Sequence, residues 1–481
     1  MVRVSRWMMG LKILLPLLFL AGINLAPVEF AIAETLEQAR VAEVDDQPVL
    51  AMIRYREALE RHPWERDLWE HLGRMALIAG APEEAIHAFE QADRLFPLSP
   101  DTRKLLADAY ESCGRYEDAA RQWAEVAAVQ PTAENYAHLS DAWQKAGRLS
   151  EAVQALRRWR EIDPKNGLAA YRLALDVSIS DLDEALNLVK EAARLDQAFQ
   201  EGMKVLERVG SLSSLDDDPA YRLTLLGRAL GELNEWALAE RALTEAVHQN
   251  PDYAEAWALL GETRYHTGGD GRVELEKALE LNPSSVLGRV LMAFYWSRKG
   301  DWQQAIDQMA IAARLEPARS MWRVELGNLY AQKGDLPQAL IEYRRAVDLD
   351  PNNPAVLEAL AQFCLTFQVQ VEETGLPAAR EAVKLDDQSA HARALLGALL
   401  AATGHTEEAE KELARALELD DHLAEAHYYL GSLYLTWQRM ELAQEHLFTA
   451  SRLDPQGRFG ILASRLLAKY FHGEADENGS P

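Results

Sequence analysis

An all-α array of repeated helix pairs is the fold class this sequence predicts, on three observations. Pro97, Pro131, Pro164, Pro251, Pro283, Pro317 and Pro351 follow one another at 34 residues or close to it, apart from one gap of 87, and Asp387, Asp421 and Pro455 continue the series. Counted from Arg66 in the clearest copy, the eighth position of the unit is small: Gly73, Ala107, Gly227, Gly261, Ala293, Gly327, Ala361, Gly397 and Gly431. The fifteenth is glycine at Gly80, Gly114, Gly147, Gly268, Gly300, Gly334 and Gly404. A self-similar unit of this length is the mark of a helical solenoid, in which each unit packs only on its neighbours.

The elements follow in chain order. Residues 1–33 have the layout of a secretory signal peptide: Arg3, Arg6 and Lys12 precede an apolar run, and Ala31-Ile32-Ala33 places small residues before an expected cleavage at Glu34. Pro16 and Asn24 interrupt the run, which suits a transient signal better than a permanent span of about 20 apolar residues. The alternative is retention, with residues 8–26 as an inner-membrane anchor. Residues 34–65 form a lead-in with half a repeat, because Ala51, Tyr55, Ala58 and Pro63 match a second helix.

An N-terminal repeat block is expected over 66–197. Its first copy shows how one unit works. Trp69, Leu72 and Gly73 lie on a first helix, Gly80 ends it in a left-handed residue, Ala85, Phe89 and Ala92 mark one face of a second helix, and Pro97 stops that helix. Glycine inside a helix costs roughly 1 kcal/mol against alanine, so the eighth position implies close helix crossing, with the alanines of the twentieth position (Ala85, Ala119, Ala152, Ala239, Ala305, Ala339, Ala409, Ala443) expected opposite. Residues 198–219 break the rhythm as an irregular junction, read either as a decayed repeat that still stacks or as a hinge. A C-terminal block is expected over 220–457, a capping helix over 458–472 and a disordered tail over 473–481.

The W-x-x-L-G start at Trp69, with Gly80, Ala85, Phe89, Ala92 and Pro97 at their offsets, resembles the tetratricopeptide repeat family, and the resemblance covers Val49 to Gly457. It implies a right-handed α-α superhelix, a solenoid of about eleven helix pairs. It also implies a concave groove lined by first helices through motif positions two, five, nine and twelve. On that pattern the early repeats present an acidic groove, with Asp67, Glu70, Asp101, Asp108 and Asp141 as its acids. The later repeats present Val290, Leu291, Phe294, Met321, Tyr428, Tyr429 and Leu435, an apolar and aromatic surface of the kind that marks an interaction site. Family members that clamp a terminal carboxylate use Lys, Asn and Arg from successive first helices. Here Arg74, Lys104, Arg228, Arg298 and Asn328 are isolated among acids or apolar residues, so that clamp does not carry over.

Chemistry-bearing motifs are wanting. There is no H-E-x-x-H and no C-x-x-C. Gly268-Gly269-Asp270-Gly271 lacks the Lys-Ser/Thr of a phosphate loop and reads as a shortened turn. His391, His422 and His427 read as scattered surface residues, Trp69, Trp123, Trp159, Trp257 and Trp296 as packing, and Cys113 and Cys364 as small core residues of first helices, while Trp64, Trp302, Trp322 and Trp437 have no assigned place in the repeat. The formal charge is −26, and near −28 once residues 1–33 are removed, a balance that repels nucleic acid. The expectation is a non-enzymatic scaffold or assembly factor of the cell envelope, exported to a bacterial periplasm, that binds proteins or peptides in its groove. It takes no cofactor, no metal, no nucleic acid and no small-molecule substrate, and meets the membrane only through its signal peptide. The alternatives are a membrane-anchored assembly factor for a respiratory or photosynthetic complex and, as a minor one, the regulatory part of a transferase.

Overall fold

A computed structural model describes residues 33–215 and 218–471. The expected signal peptide and anchor over 1–32, Asp216 and Asp217 of the junction, His472 and the tail lie outside the described residues. The chain divides into two compact units, Met1–Leu238 and Ala239–Pro481. Among the described residues every regular element is a helix.

Unit 1 opens with a helix over 33–44 (α1) and α2 (Pro48–Arg61). Four pairs follow: α3 (Arg66–Ile78) with α4 (Pro82–Leu95), α5 (Pro100–Ser112) with α6 (Tyr116–Val129), α7 (Ala133–Lys145) with α8 (Leu149–Ile162), and α9 (Gly167–Val177) with α10 (Leu182–Leu195). A 3-10 turn, Gln197–Phe199, leads into α11 (Gln200–Ser213), and then come α12 (Pro219–Glu232) and α13 (Trp236–Gln249), within which the division into units falls.

The lead-in thus holds a whole helix pair rather than half of one. Ala39 and Ala42 of α1 are buried in the same core as Ala51, Met52 and Tyr55 of α2. Ala39 takes the eighth position and Asp46 the left-handed fifteenth, at φ 56°. In the junction, α11 runs longer than the segment Phe199–Val209 that the sequence suggests. It packs against both α10 and α12, burying Val205, Leu206 and Val209, and Phe199 stacks on Tyr171 at 4.7 Å between ring centroids.

Unit 2 contains α14 (Ala254–His266) with α15 (Arg272–Leu281), α16 (Val286–Arg298) with α17 (Trp302–Leu315), α18 (Ser320–Lys333) with α19 (Leu336–Leu349), α20 (Pro354–Phe367) with α21 (Leu376–Leu385), α22 (Ala390–Ala402) with α23 (Thr406–Leu419), and α24 (Ala424–Thr436) with α25 (Met440–Leu453). The single helix α26 (Arg458–Phe471) closes it, packing on α24 and α25. Gly268–Gly271 is the turn between α14 and α15.

The repeat spacing works through four recurring contacts. The first is at helix starts: Ser99 Oγ accepts the Thr102 N–H at 3.2 Å and Pro100 follows at the first helical position, where its missing N–H costs nothing. The second is the fifteenth position, which is left-handed whether or not it is glycine: Gly334 has φ 87°, and Asn234, Gln368 and Gln438 adopt 62°, 54° and 57° in the copies without glycine.

The third is the eighth position, whose partner is residue twenty-four and not the expected alanine at twenty. A Cβ on Gly73 would lie 2.6 Å from the Phe89 ring, one on Gly327 2.8 Å from the Tyr343 ring, and one on Gly431 2.7 Å from Leu447 Cγ. The alanines at twenty are fully buried all the same.

The fourth is the fourth position, which ties the first helix to the turn before it. Trp69 Nε1 donates to Pro63 O and Trp257 Nε1 to Pro251 O, both at 2.8 Å. Arg289 does the same to Pro283 O and Arg393 to Asp387 O. Those two tryptophans are therefore half-exposed clamps, whereas Trp123 and Trp159 are buried core. Cys364 is core too, its thiol pushed up to about 11 by burial, but Cys113 caps the end of α5 and is only half-buried. Both are free thiols.

Candidate partner-binding surface

The candidate surface is the face of the first helices, taken in each unit separately. In unit 1, Asp67, Asp101 and Asp108 are exposed. Asp108 stays hemmed in despite its exposure. Desolvation first, and repulsion from Glu111 second, push its carboxyl above the ordinary range. Two predicted groove acids are already occupied. Glu70 is only 8% exposed; it pairs with Arg66 at 2.5 Å and Arg74 at 3.2 Å and accepts a bond from Thr102 of the next repeat. It is a tie between repeats rather than an open groove acid, because the fifth position lies where adjacent first helices meet. Asp141 is half-buried and held by Arg172 at 2.7 Å and Lys145 at 3.4 Å.

Unit 2 corrects the expected apolar stripe. Val290 and Leu291 are only 6% and 8% exposed and belong to the hydrophobic core. The reason is that first helices pack directly on one another, α14 on α16, α20 on α22 and α22 on α24, so positions five and six fill that contact. Phe294 is half-buried between two core clusters. Leu435 packs against the core in the same way. Met321 is exposed. Tyr428 and Tyr429, also at positions five and six, are half-buried against the core and α26. With Phe459 they form a half-buried aromatic node at the end of the unit, ring centroids 5.3–5.8 Å apart, with the Arg458 guanidinium over Phe459. Desolvation raises the Tyr429 phenol.

Beside this node lie two acids that sequence reasoning did not single out, Glu425 and Glu358, together with His391, which it read as a scattered surface residue. Glu425, 4% exposed, accepts from His391 Nδ1 at 2.7 Å through one carboxylate oxygen. Its other oxygen is buried and has no hydrogen-bond partner among the described residues. The bond to Glu425 raises the imidazole of His391 above its ordinary value despite partial desolvation. Glu358 of α20 feels His391, Asp386 and Glu425, and desolvation pushes its carboxyl up. It makes no hydrogen bond or ion pair among the described residues. A sequence signal existed: His391 and Glu425 both hold the second motif position of successive repeats, and Glu358 the fifth of the repeat before.

The other histidines expected on the surface are partnered as well. His422 meets Asp421 at 2.5 Å, and His427 Nδ1 faces His446 Nδ1 at 2.9 Å. His427 and His446 hold positions four and twenty-three, where other copies pair Arg103 with Gln122, Arg289 with Gln308 and Arg393 with Glu412. Asp420, Asp421 and His422 bring ligand atoms within 4.8 Å of one another, but all three are exposed and two of their carboxylate oxygens already accept bonds from His422 itself.

Comparison with known proteins agrees with this repeat geometry. Tetratricopeptide repeat family models match residues 76–142, 224–284, 297–354 and 390–422. The chain carries tetratricopeptide repeats. A stretch of 229 residues, 46% of the chain, is 26% identical to the human protein O-mannosyl-transferase TMTC1, and covers 23% of that protein. Among solved structures, the chain is similar to the APC/C hetero-tetramer Cut9-Hcn1 (17% identity, TM-score 0.42, 93% of this chain and 98% of that one). It is similar also to yeast Tom70 (15%, TM-score 0.42, 92% and 96%). YrrB, described as a tetratricopeptide repeat protein with an unusual peptide-binding site, matches at 24% identity and TM-score 0.30, over 40% of this chain and 97% of that one.

Proposed function

We propose that this chain is a non-enzymatic protein-interaction scaffold that binds segments of partner proteins on its first-helix surfaces, with the main site at the aromatic node of unit 2. The observation that carries the reading is the coincidence at one place of three aromatic rings and a buried carboxylate with an unmatched oxygen. Aromatic anchors beside desolvated polar groups are the usual centres of binding energy. The repeats also run through nearly all of the described residues, from 33 to 471, which supports a scaffold over catalysis. The similarity to a transferase covers under a quarter of that protein, so a role as the regulatory part of a transferase is the weaker reading.

The leader-like residues 1–33 support export to the cell envelope as part of the proposal. An anchored assembly factor that keeps residues 8–26 is the alternative. Two measurements test the whole. Affinity capture from the native host should retain a defined set of proteins with the wild-type chain and lose the main partner with Tyr429→Ala, provided helicity is unchanged. Sequencing of the mature N-terminus should begin at Glu34, and a chain that begins at Met1 would remove the export reading.

A further inference from the structure

The charge balance around Glu425 narrows what the partner must present. Within unit 2, Glu358 of α20 feels the charges of Asp386, at the end of α21, and of Glu425 on α24, and the group that offsets them is His391. Among the described residues, neither arginine nearby in sequence forms an ion pair with these carboxylates. Arg393 is held by Glu412 and by the carbonyl of Asp387, and Arg458 lies over Phe459. Glu425 keeps one buried oxygen with no donor, and Glu358 is half-buried with no ion pair. Other half-buried carboxylates of the first-helix faces are matched by cations, Glu111 and Asp141 by Lys145 and Glu262 by Arg298, whereas Glu325 of α18 has only the amide of Asn328 at 3.4 Å. A desolvated carboxylate left unmatched is costly, and a cation brought to it gains a charge-assisted hydrogen bond.

We propose that this face of unit 2 takes a partner segment that presents a lysine or arginine side chain, whose cationic head sits at Glu358 and Glu425 and whose aliphatic stem lies along Tyr428, Tyr429 and Phe459. The inference rests on the reading of this face as a partner-binding surface. Charge complementarity selects the occupant: a chain of net charge −26 offers a site with excess carboxylates and a wall of aromatic faces, which suits a long cationic side chain by its stem and its head together. A metal ion fits less well, because Asp420, Asp421 and His422 form the only group of three such residues whose ligand atoms converge among the described residues.

The test uses the full chain, immobilised, to select nine-residue peptides from a random phage-displayed library. The selected peptides are expected to share one basic position. Replacing that residue by alanine in a synthetic peptide should weaken binding by about tenfold or more, as for other hydrogen bonds to charged groups. Glu358→Gln, a half-buried position with no ion pair, should cause a similar loss in a variant whose circular dichroism matches wild type, and Glu425→Gln, which still accepts a bond from His391, should repeat it. Selected peptides with no common basic residue would overturn the inference and leave the partner-binding face standing. So would binding indifferent to both Gln variants. A failure to select any peptide would overturn the face itself, and the inference with it. A dimer of this chain by light scattering that Glu358→Gln dissolves would show that a second copy is the occupant, which also refutes the proposal.

Discussion

The sharpest test of the packing is a single methyl group on Gly327. The added Cβ would lie 2.8 Å from Tyr343 Cε2, 2.9 Å from Cδ2 and 3.0 Å from Cζ, so it meets the flat of a ring and not the end of a flexible chain. The ring is pinned. Its hydroxyl donates to Asn328 Oδ1 at 2.5 Å, and its other side meets Phe363 at 4.9 Å between centroids. Relief needs a shift of about half an ångström or more to reach ordinary contact near 3.5 Å. Overpacking of this kind costs about 1–3 kcal/mol, and Gly→Ala in a helix returns about 1 kcal/mol of propensity. The expected net is a loss of about 1–2 kcal/mol for Gly327→Ala, and more than about 2 kcal/mol for Gly327→Leu. The assay is urea unfolding followed by helicity, read on the transition to which unit 2 contributes, since long arrays can unfold in blocks. Tyr343→Met supplies the control. Ala293 and Met309 hold the same two positions in another copy, both fully buried, so the double variant should recover about 1 kcal/mol relative to the sum of the singles. A Gly327→Ala protein that is more stable than wild type, by the propensity gain alone, would show that the ring does not press on this helix.

Two further predictions concern the turn and the histidines. Gln438 holds a left-handed φ of 57° without glycine. That conformation costs an ordinary residue about 1–2 kcal/mol, of which glycine's greater chain entropy takes back about 0.5–1. Gln438→Gly should therefore raise the urea midpoint by the equivalent of about 0.5–1 kcal/mol, and an unchanged or lowered midpoint would contradict the turn. His391 and His446 should respond to pH with opposite signs. The bond to Glu425 raises His391, so its stabilisation is complete below the ordinary value of 6.5 and fades as pH rises through the raised value. Desolvation and His427 lower His446, so its stabilisation is present above 6.5 and is lost as pH falls through the lowered value. His391→Gln should accordingly cost more stability at pH 5.5 than at pH 8, and His446→Gln more at pH 8 than at pH 5.5. Melting curves at the two values decide, and equal costs at both would refute the assignment.

What made the fold legible was offset rather than composition. The eighth, fifteenth, twentieth and thirty-second positions each serve a separate physical need, and a chain that meets them together has few other ways to fold. The pair that escaped, α1 with α2, keeps the offsets through Ala39, Asp46, Ala51, Tyr55 and Pro63 but has no glycine in its turn. Its first helix also exposes Val41 and Val44, so the apolar pattern there points partly outward. The partner of the glycine at position eight was misplaced for a different reason. Small residues at eight and twenty suggest each other by size, yet the crossing is filled by the large residue at twenty-four, and only a built ring distinguishes the two.

The surface was less legible because polarity along one helix does not say what the next helix covers. Val290 and Leu291 hold positions that suit a groove and are taken by the adjacent first helix. Glu70 is as polar as Asp67 and is consumed by Arg66, Arg74 and Thr102. In an array, the neighbours that decide such a residue's fate lie about one repeat away. Thr102 reaches Glu70 across 32 residues, Lys145 reaches Glu111 across 34, Arg298 reaches Glu262 across 36, and His391 reaches Glu425 across 34. Reading residue i against i+34 with the same care given to i+4 would have put His391 and Glu425 together from the sequence. It would not have shown that Glu425, unlike the other three, has no lysine or arginine beside it. Glu70, Glu111 and Glu262 are carboxylates whose cations are supplied by the chain. Glu425 has only an imidazole, and the missing charge is the feature of the molecule that most directly asks for a partner.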